Sequence, residues 1–134
     1  MNKLSVWISV LALLQSCNLG GDYTSELSGS YFYRAEGKGL NDILSHSRGG
    51  KEIPANVIGY DYNSEFIVAK QKPTKTDEPL YEGIYVYHHG RDEIYYWLIV
   101  HRTRLILGPM SELEFNTAMQ KYGVPKTLDV NKQH

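Results

Sequence analysis

Ile94-Tyr95-Tyr96-Trp97-Leu98-Ile99-Val100 runs through His101-Arg102-Thr103-Arg104 into Leu105-Ile106-Leu107, and then into Gly108-Pro109-Met110-Ser111-Glu112-Leu113-Glu114-Phe115. This stretch decides the fold. The first run is rich in β-branched and aromatic residues and reads as a strand. Arg102-Thr103 allows a tight return into a second strand, which stops at Gly108-Pro109. Ser111 followed three residues later by Glu114 is a capping box, and Met110 and Phe115 are spaced for a hydrophobic staple. Leu113, Phe115, Ala118, Met119 and Tyr122 form an apolar stripe. Gly123 stands at a C-terminal cap, and Pro125 blocks continuation. An amphipathic helix must bury its stripe, and a sheet is the large partner available to it.

Working upstream, Ile84-Tyr85-Val86-Tyr87 reads as the strand that pairs with Ile94–Val100 around the turn His88–Glu93. Lys70–Pro79 is a polar loop with prolines near both ends. Val57-Ile58-Gly59-Tyr60 and Glu65-Phe66-Ile67-Val68-Ala69-Lys70 flank Asp61-Tyr62-Asn63-Ser64 and read as a hairpin. The continuous run Phe66–Ala69 predicts burial on both faces. Tyr31–Glu36 is a further strand. Gly37–Lys51 reads as a loop in which Leu40, Ile43 and Leu44 have the spacing of one helical turn. The predicted class is α+β: an antiparallel β-meander of about five or six strands with one C-terminal helix packed on the sheet.

The N-terminus reads as an address. Lys3 precedes an apolar run from Leu4 to Leu14, and Leu14-Gln15-Ser16-Cys17 ends it. A basic start, roughly 7–15 apolar residues and a small residue at the cut make an export signal, too short for the ~20 residues of a bilayer span. Leu14-Gln15-Ser16-Cys17 resembles the lipobox of bacterial lipoproteins. The resemblance implies a diacylglycerol on the thiol of Cys17 and removal of residues 1–16. An ordinary secretory cut near Ser16 would instead leave Cys17 as a free thiol. The expected organisation is a signal peptide over 1–16, a lipidated tether over 17–28, one globular domain over 29–126 and a polar C-terminal tail over 127–134.

Removing residues 1–16 leaves 118 of the 134 residues and takes away one charge, Lys3, so the formal balance moves from −1 to −2. That balance gives no electrostatic case for nucleic acid, whose binders carry a clustered basic face. Cys17 is the one cysteine, so once it is acylated no thiol remains for a disulfide or a thiolate metal site. Eleven tyrosines stand against three phenylalanines, which suits the faces and rims of sheets.

The order of lipobox, tether, Ile53-Pro54-Ala55-Asn56-Val57, Phe66–Gln71, Tyr95–Ile99 and Gly108–Phe115 resembles small uncharacterised bacterial lipoproteins grouped as a domain of unknown function. The resemblance runs over roughly residues 53–124. It implies a shared fold and brings no catalytic residues with it.

No chemistry stands out from the residues. No serine lies in a Gly-x-Ser-x-Gly elbow, and Gly37-Lys38-Gly39 lacks the strand-to-helix setting of a phosphate loop. His88 and His89 are adjacent and would point to opposite faces of a strand, so a shared metal ion needs a turn there. Asp61, Glu65, Asp77, Glu78, Asp92 and Glu93 fall in predicted turns as solvated acids. Arg91, Arg102, Arg104, His88, His89 and His101 give the turns positive character, at ends of the sheet that alternate. No cofactor and no metal are expected.

The function expected is a membrane-anchored envelope lipoprotein that binds a protein or an envelope polymer without catalysis. An immunity or inhibitor protein against an envelope-acting toxin or hydrolase is the alternative, and a small envelope hydrolase another. Tyr85 and Tyr87 are the candidate binding surface. By period two they share one face and Ile84 and Val86 the other, so the tyrosines are expected to point away from the helix while the aliphatic pair joins the core. Trp97 and Tyr95 could instead draw the tyrosines inward.

Overall fold

Phe66-Ile67-Val68-Ala69 is buried along its whole length, and the architecture is built on that strand. The computed structural model describes residues 21–37, 39–74, 81 and 83–134. Cys17 and the export signal lie outside the described residues. Two antiparallel sheets are present, with one helix. The first contains β1 (Tyr23–Glu26), β2 (Tyr31–Glu36) and β3 (Leu40–Ser45), in that order. The second contains β4 (Val57–Tyr62), β5 (Phe66–Gln71), β6 (Tyr95–Val100) and β7 (Leu105–Met110), also in chain order. Helix α1 covers Glu112–Lys121.

The four-stranded sheet is the middle layer. Its inner strands are apolar at successive positions because both faces are covered. Ile67, Ala69, Trp97 and Ile99 face the three-stranded sheet and join Tyr33, Ile43, Ile53, Val57 and Tyr60. Phe66, Val68, Leu98 and Val100 face the other way and join Met110, Phe115 and Ala118 under the helix.

The α+β class and the C-terminal helix match the expectation; the single meander does not. Tyr23–Glu26, expected as tether, pairs with β2, and Leu40–Ser45 is a strand where a helical turn was expected. Opposite Ile43 lies Ile53, in an isolated bridge, and both are fully buried. Pairing across the chain decides these segments, and a short window cannot see it. Ile84–Tyr87 forms no strand. β6 takes β5 as its neighbour, with Gln71, the last residue of β5, opposite Tyr95, the first of β6. A strand apolar on both faces gains more from the centre than the half-polar Ile84–Tyr87 would.

The helix keeps its sequence signals. Ser111 Oγ accepts from Glu114 N at 3.2 Å and donates to Glu114 Oε1 at 3.1 Å. At the other end Val124 N bonds Met119 O at 2.9 Å and Gly123 N bonds Gln120 O at 3.2 Å. With Gly123 at φ 65, this is a Schellman cap. Leu113 is 77 % exposed and falls outside the buried stripe, because it lies two positions from Phe115 on the opposite helix face.

Residues 127–134, which read as a polar tail, dock on β4. Val130 is buried, and its carbonyl lies so close to Gly59 that a side chain there would collide with it. Asp61 accepts from Asp129 N at 3.0 Å and pairs with Lys132 at 3.5 Å. Burial alone would raise the pKa of Asp61; the amides of Asp129 and Tyr62 and the Lys132 ammonium outweigh it and hold the carboxyl below 3.8. His134 stacks on Tyr60 at 4.1 Å.

Candidate functional site

Three turns meet at one end of the molecule. The β1–β2 turn closes with Tyr31 N on Ser28 O at 3.2 Å, and its two central residues, Gly29 and Ser30, have φ 61 and 68. Two left-handed residues in succession make the hairpin turn that matches strand twist. The second turn, Ser45–Lys51, follows β3 and is tied by Gly50 N to Ser47 O at 3.0 Å. The third, His101–Arg104, joins β6 to β7 and closes with Arg104 N on His101 O at 3.2 Å. Between them lies a cleft of about 450 Å³, lined by Ser30, Tyr31, Arg48, Lys51, His101 and Arg104 among others.

His101 is the centre of this end. Its Nε2 lies 2.8 Å from Ser28 Oγ, and its ring tilts against Tyr31 at 5.9 Å. The ring lies against the backbone of Gly29, where a Cβ would fall inside the imidazole. Burial lowers its pKa below 6.5, so the ring is neutral at neutral pH. Ser28 and His101 supply two members of a nucleophilic arrangement. Among the described residues no carboxylate bonds His101, so none orients it as a base.

The charges of the cleft are of one sign. Arg48, Lys51 and Arg104 are exposed, and among the described residues none forms an ion pair. The nearby acids are turned to other partners: Glu26 to His46 at 2.9 Å, and Glu52 to Gly83 N at 3.3 Å. Ser45 and Ser47 also line the cleft, and Ser45 Oγ accepts from Ser47 N at 3.1 Å. Of the described non-glycine residues, Ser30 and Arg104 have positive φ, and both line it. A left-handed non-glycine residue costs of order 1–2 kcal/mol, and such strain collects at binding and switch sites. The arrangement can hold an anion through two guanidinium groups, an ammonium and hydroxyl donors.

Sequence reasoning found part of this site. His101 and Arg104 come together with each other, whereas His88, His89 and Arg91 sit beyond the far end of β6. There His89 N bonds Tyr95 Oη at 2.8 Å, and Tyr95 Oη bonds Gly90 O at 2.8 Å. Among the described residues no group of three His, Cys, Asp or Glu side chains is placed to hold a metal ion. Arg48 and Lys51 were missed. The available signal was their place in Ser45-His46-Ser47-Arg48-Gly49-Gly50-Lys51, basic residues interleaved with small donors.

Tyr85 and Tyr87 lie on the sheet face away from the helix, as expected, but they are not free-standing. Tyr85 packs edge-on to Trp97 at 5.6 Å, and its hydroxyl donates to Glu52 O at 3.4 Å. Burial first, and then Glu52, raise its pKa well above 10. Tyr87 Oη accepts from Gln71 Nε2 at 3.0 Å, with its ring 5.2 Å from Tyr95. The expected core pair is the exposed one: Ile84 is 96 % and Val86 59 % accessible. Trp97 and Tyr95 claim the tyrosines because they offer aromatic edges and polar partners that aliphatic side chains cannot use.

The chain belongs to the family described as "Protein of unknown function (DUF3997)". The match covers residues 35–133. It takes in Arg48, Lys51, His101 and Arg104 and the docked C-terminal segment as far as Gln133, and leaves out β1, the Ser28–Ser30 turn and the first four residues of β2. Comparison with curated proteins finds no match, and comparison with solved structures finds none either.

Proposed function

We propose that this chain is an exported lipoprotein, anchored through Cys17, whose folded part is a non-catalytic binding module for an anionic ligand. The observation that carries the reading is the convergence of Arg48, Lys51 and Arg104 on one cleft whose lining includes no acid. Like charges held together repel, and an anion between them relieves that repulsion. The ligand class is an envelope polymer bearing phosphate or carboxylate groups. The lipobox-like Leu14-Gln15-Ser16-Cys17 supports the anchor. Two acyl chains hold stably, at about 0.8 kcal/mol per buried methylene.

Two measurements test the two halves. Labelled fatty acid should enter the wild type and not Cys17→Ser; equal labelling removes the lipoprotein half. Calorimetric titration with polyphosphate and with polygalacturonate should show binding that weakens as salt rises. The Arg48→Gln/Lys51→Gln/Arg104→Gln variant should lose at least about tenfold in affinity, roughly 1.4 kcal/mol. Unchanged binding by that variant removes the cleft from the reading.

A further inference from the structure

His101 keeps one ring nitrogen open in the wall of the basic cleft. Its Nε2 is bonded to Ser28 Oγ at 2.8 Å, while its Nδ1 and Cε1 edge lies over Gly29. Gly29 and His101 both line the cleft. Among the described residues Nδ1 has no hydrogen-bond partner, yet no buried side-chain nitrogen goes without one. Nδ1 therefore reaches the cleft and is not sealed in the core.

The side chains around this ring are cationic or neutral. Arg102 and Arg104 share its turn, Arg48 and Lys51 stand on the loop after β3 that forms another wall of the cleft, and Tyr31 tilts against it from β2. The β4–β5 turn meets it through the carbonyl of Glu65, which accepts from His101 N at 3.0 Å. The lining of the cleft includes no acid. Burial keeps the ring neutral in the free protein, and the neighbouring cations oppose a further positive charge. An anion seated among Arg48, Lys51 and Arg104 reverses that balance, because it offsets the cations and favours an imidazolium beside it.

We infer that His101 is a further contact for the anion, donating from Nδ1 as the imidazolium, so that the cleft takes up a proton with its ligand. The inference rests on the anion cleft proposed above and adds its regulation. The proton comes from solvent, and Ser28 Oγ is placed to accept from Nε2 when both ring nitrogens carry hydrogen. Linkage gives the sign: a group that binds its proton more tightly in the complex strengthens the complex as pH falls. Affinity should climb by up to about tenfold per pH unit between the bound and free values and level off below them. The cleft holds its ligand more firmly in mildly acidic surroundings and loosens it as pH rises.

The test uses the full lipidated chain in detergent micelles and polygalacturonate, whose carboxylates stay ionised above about pH 5. Calorimetry in two buffers of different ionisation enthalpy counts protons, and affinities at about pH 5.5 and about pH 7.5 bracket the histidine range. The wild type should take up about half a proton or more per protein bound at about pH 6.5, and bind at least about fivefold more tightly at the lower pH. His101→Gln should lose the uptake and most of that ratio. His46→Gln, which removes the exposed histidine of the neighbouring loop, should keep both. Should His101→Gln fail to fold, the wild type decides: the NMR titration of the His101 ring should move to higher pH when the polymer is added. Binding without proton uptake, uptake that survives His101→Gln, or an unmoved His101 titration overturns this inference and leaves the cleft standing. Absence of binding at either pH overturns the cleft and this contact together.

Discussion

The two faces of the four-stranded sheet are built by different means. The face under α1 is apolar where the helix seats, on Phe115, Val68, Leu98 and Met110; its buried acid, Asp61, lies opposite Val68 at β4 and is bonded by the C-terminal segment. The face under the three-stranded sheet carries a polar network within its core. Trp97 Nε1 donates to Gln71 Oε1 at 2.6 Å, and Gln71 is fully buried. On the reverse of the three-stranded sheet, one position along from Tyr33 and Ile43, Asp42 is 1 % exposed and accepts both forks of Arg34, at 3.0 and 2.7 Å, and the hydroxyl of Tyr81 at 2.6 Å. No buried side-chain nitrogen or oxygen among the described residues lacks a partner. A helix brings its own backbone bonds and asks only for an apolar seat. A second sheet with a long excursion between strands leaves backbone groups, such as the carbonyl of Ala55, that the core must satisfy.

Trp97→Ala should have the largest effect, about 5 kcal/mol, since it opens a cavity in the inter-sheet core and strands Gln71 Oε1. Trp97→Phe separates the two causes: it keeps most of the volume, and a residual loss of about 1–3 kcal/mol in denaturant melts would measure the polar part. Phe115→Ala probes the other face, with an expected cost of about 3–4 kcal/mol and no polar component. If Phe115→Ala proves nearly neutral, the helix contributes little to the core and the comparison fails.

Asp42→Ala comes next, at about 3 kcal/mol, because it leaves Arg34 and Tyr81 without their shared acceptor. The double change Arg34→Met/Asp42→Leu should recover much of that loss. Failure to recover would mean that the ion pair itself holds β2 against β3. Ser111→Ala should cost about 0.5–2 kcal/mol through a lost cap. The smallest effect is pH-dependent. The carboxyl of Asp61 is held below its usual range, so its stabilisation is present above about pH 3.8 and is lost as pH falls through the folded value. Asp61→Asn should therefore be less stable than wild type at neutral pH, and acid titration of both should close the gap.

Legibility followed the same division. The capping box, the Schellman cap and the double-sided burial of Phe66–Ala69 were readable because each depends on residues within a few positions. Leu113 was placed on the wrong helix face because the stripe was drawn too wide. β3 hides in a stretch punctuated by glycine and serine, and its strand character comes from Tyr33 and Ile53 on either side of Ile43. The cleft was half visible. Arg104 and His101 adjoin a predicted turn, but Arg48 and Lys51 reach them only because two sheets stack with their turns at one end.

By itself the sequence determined the α+β class, the helix with both its caps, the hairpin of Val57–Tyr60 with Glu65–Lys70 and the strand from Leu105, which was expected to stop at Gly108-Pro109 and instead runs through it to Met110. These follow from hydrogen bonds and side-chain periods that a chain expresses locally. Only the tertiary structure decided that there are two sheets, that Tyr85 and Tyr87 face inward while Ile84 and Val86 face out, and that three cations share a cleft. Those outcomes depend on which surfaces compete for the same neighbour. β5 outcompetes Ile84–Tyr87 for the edge of β6 because it has two apolar faces to bury, and local pattern does not record that competition.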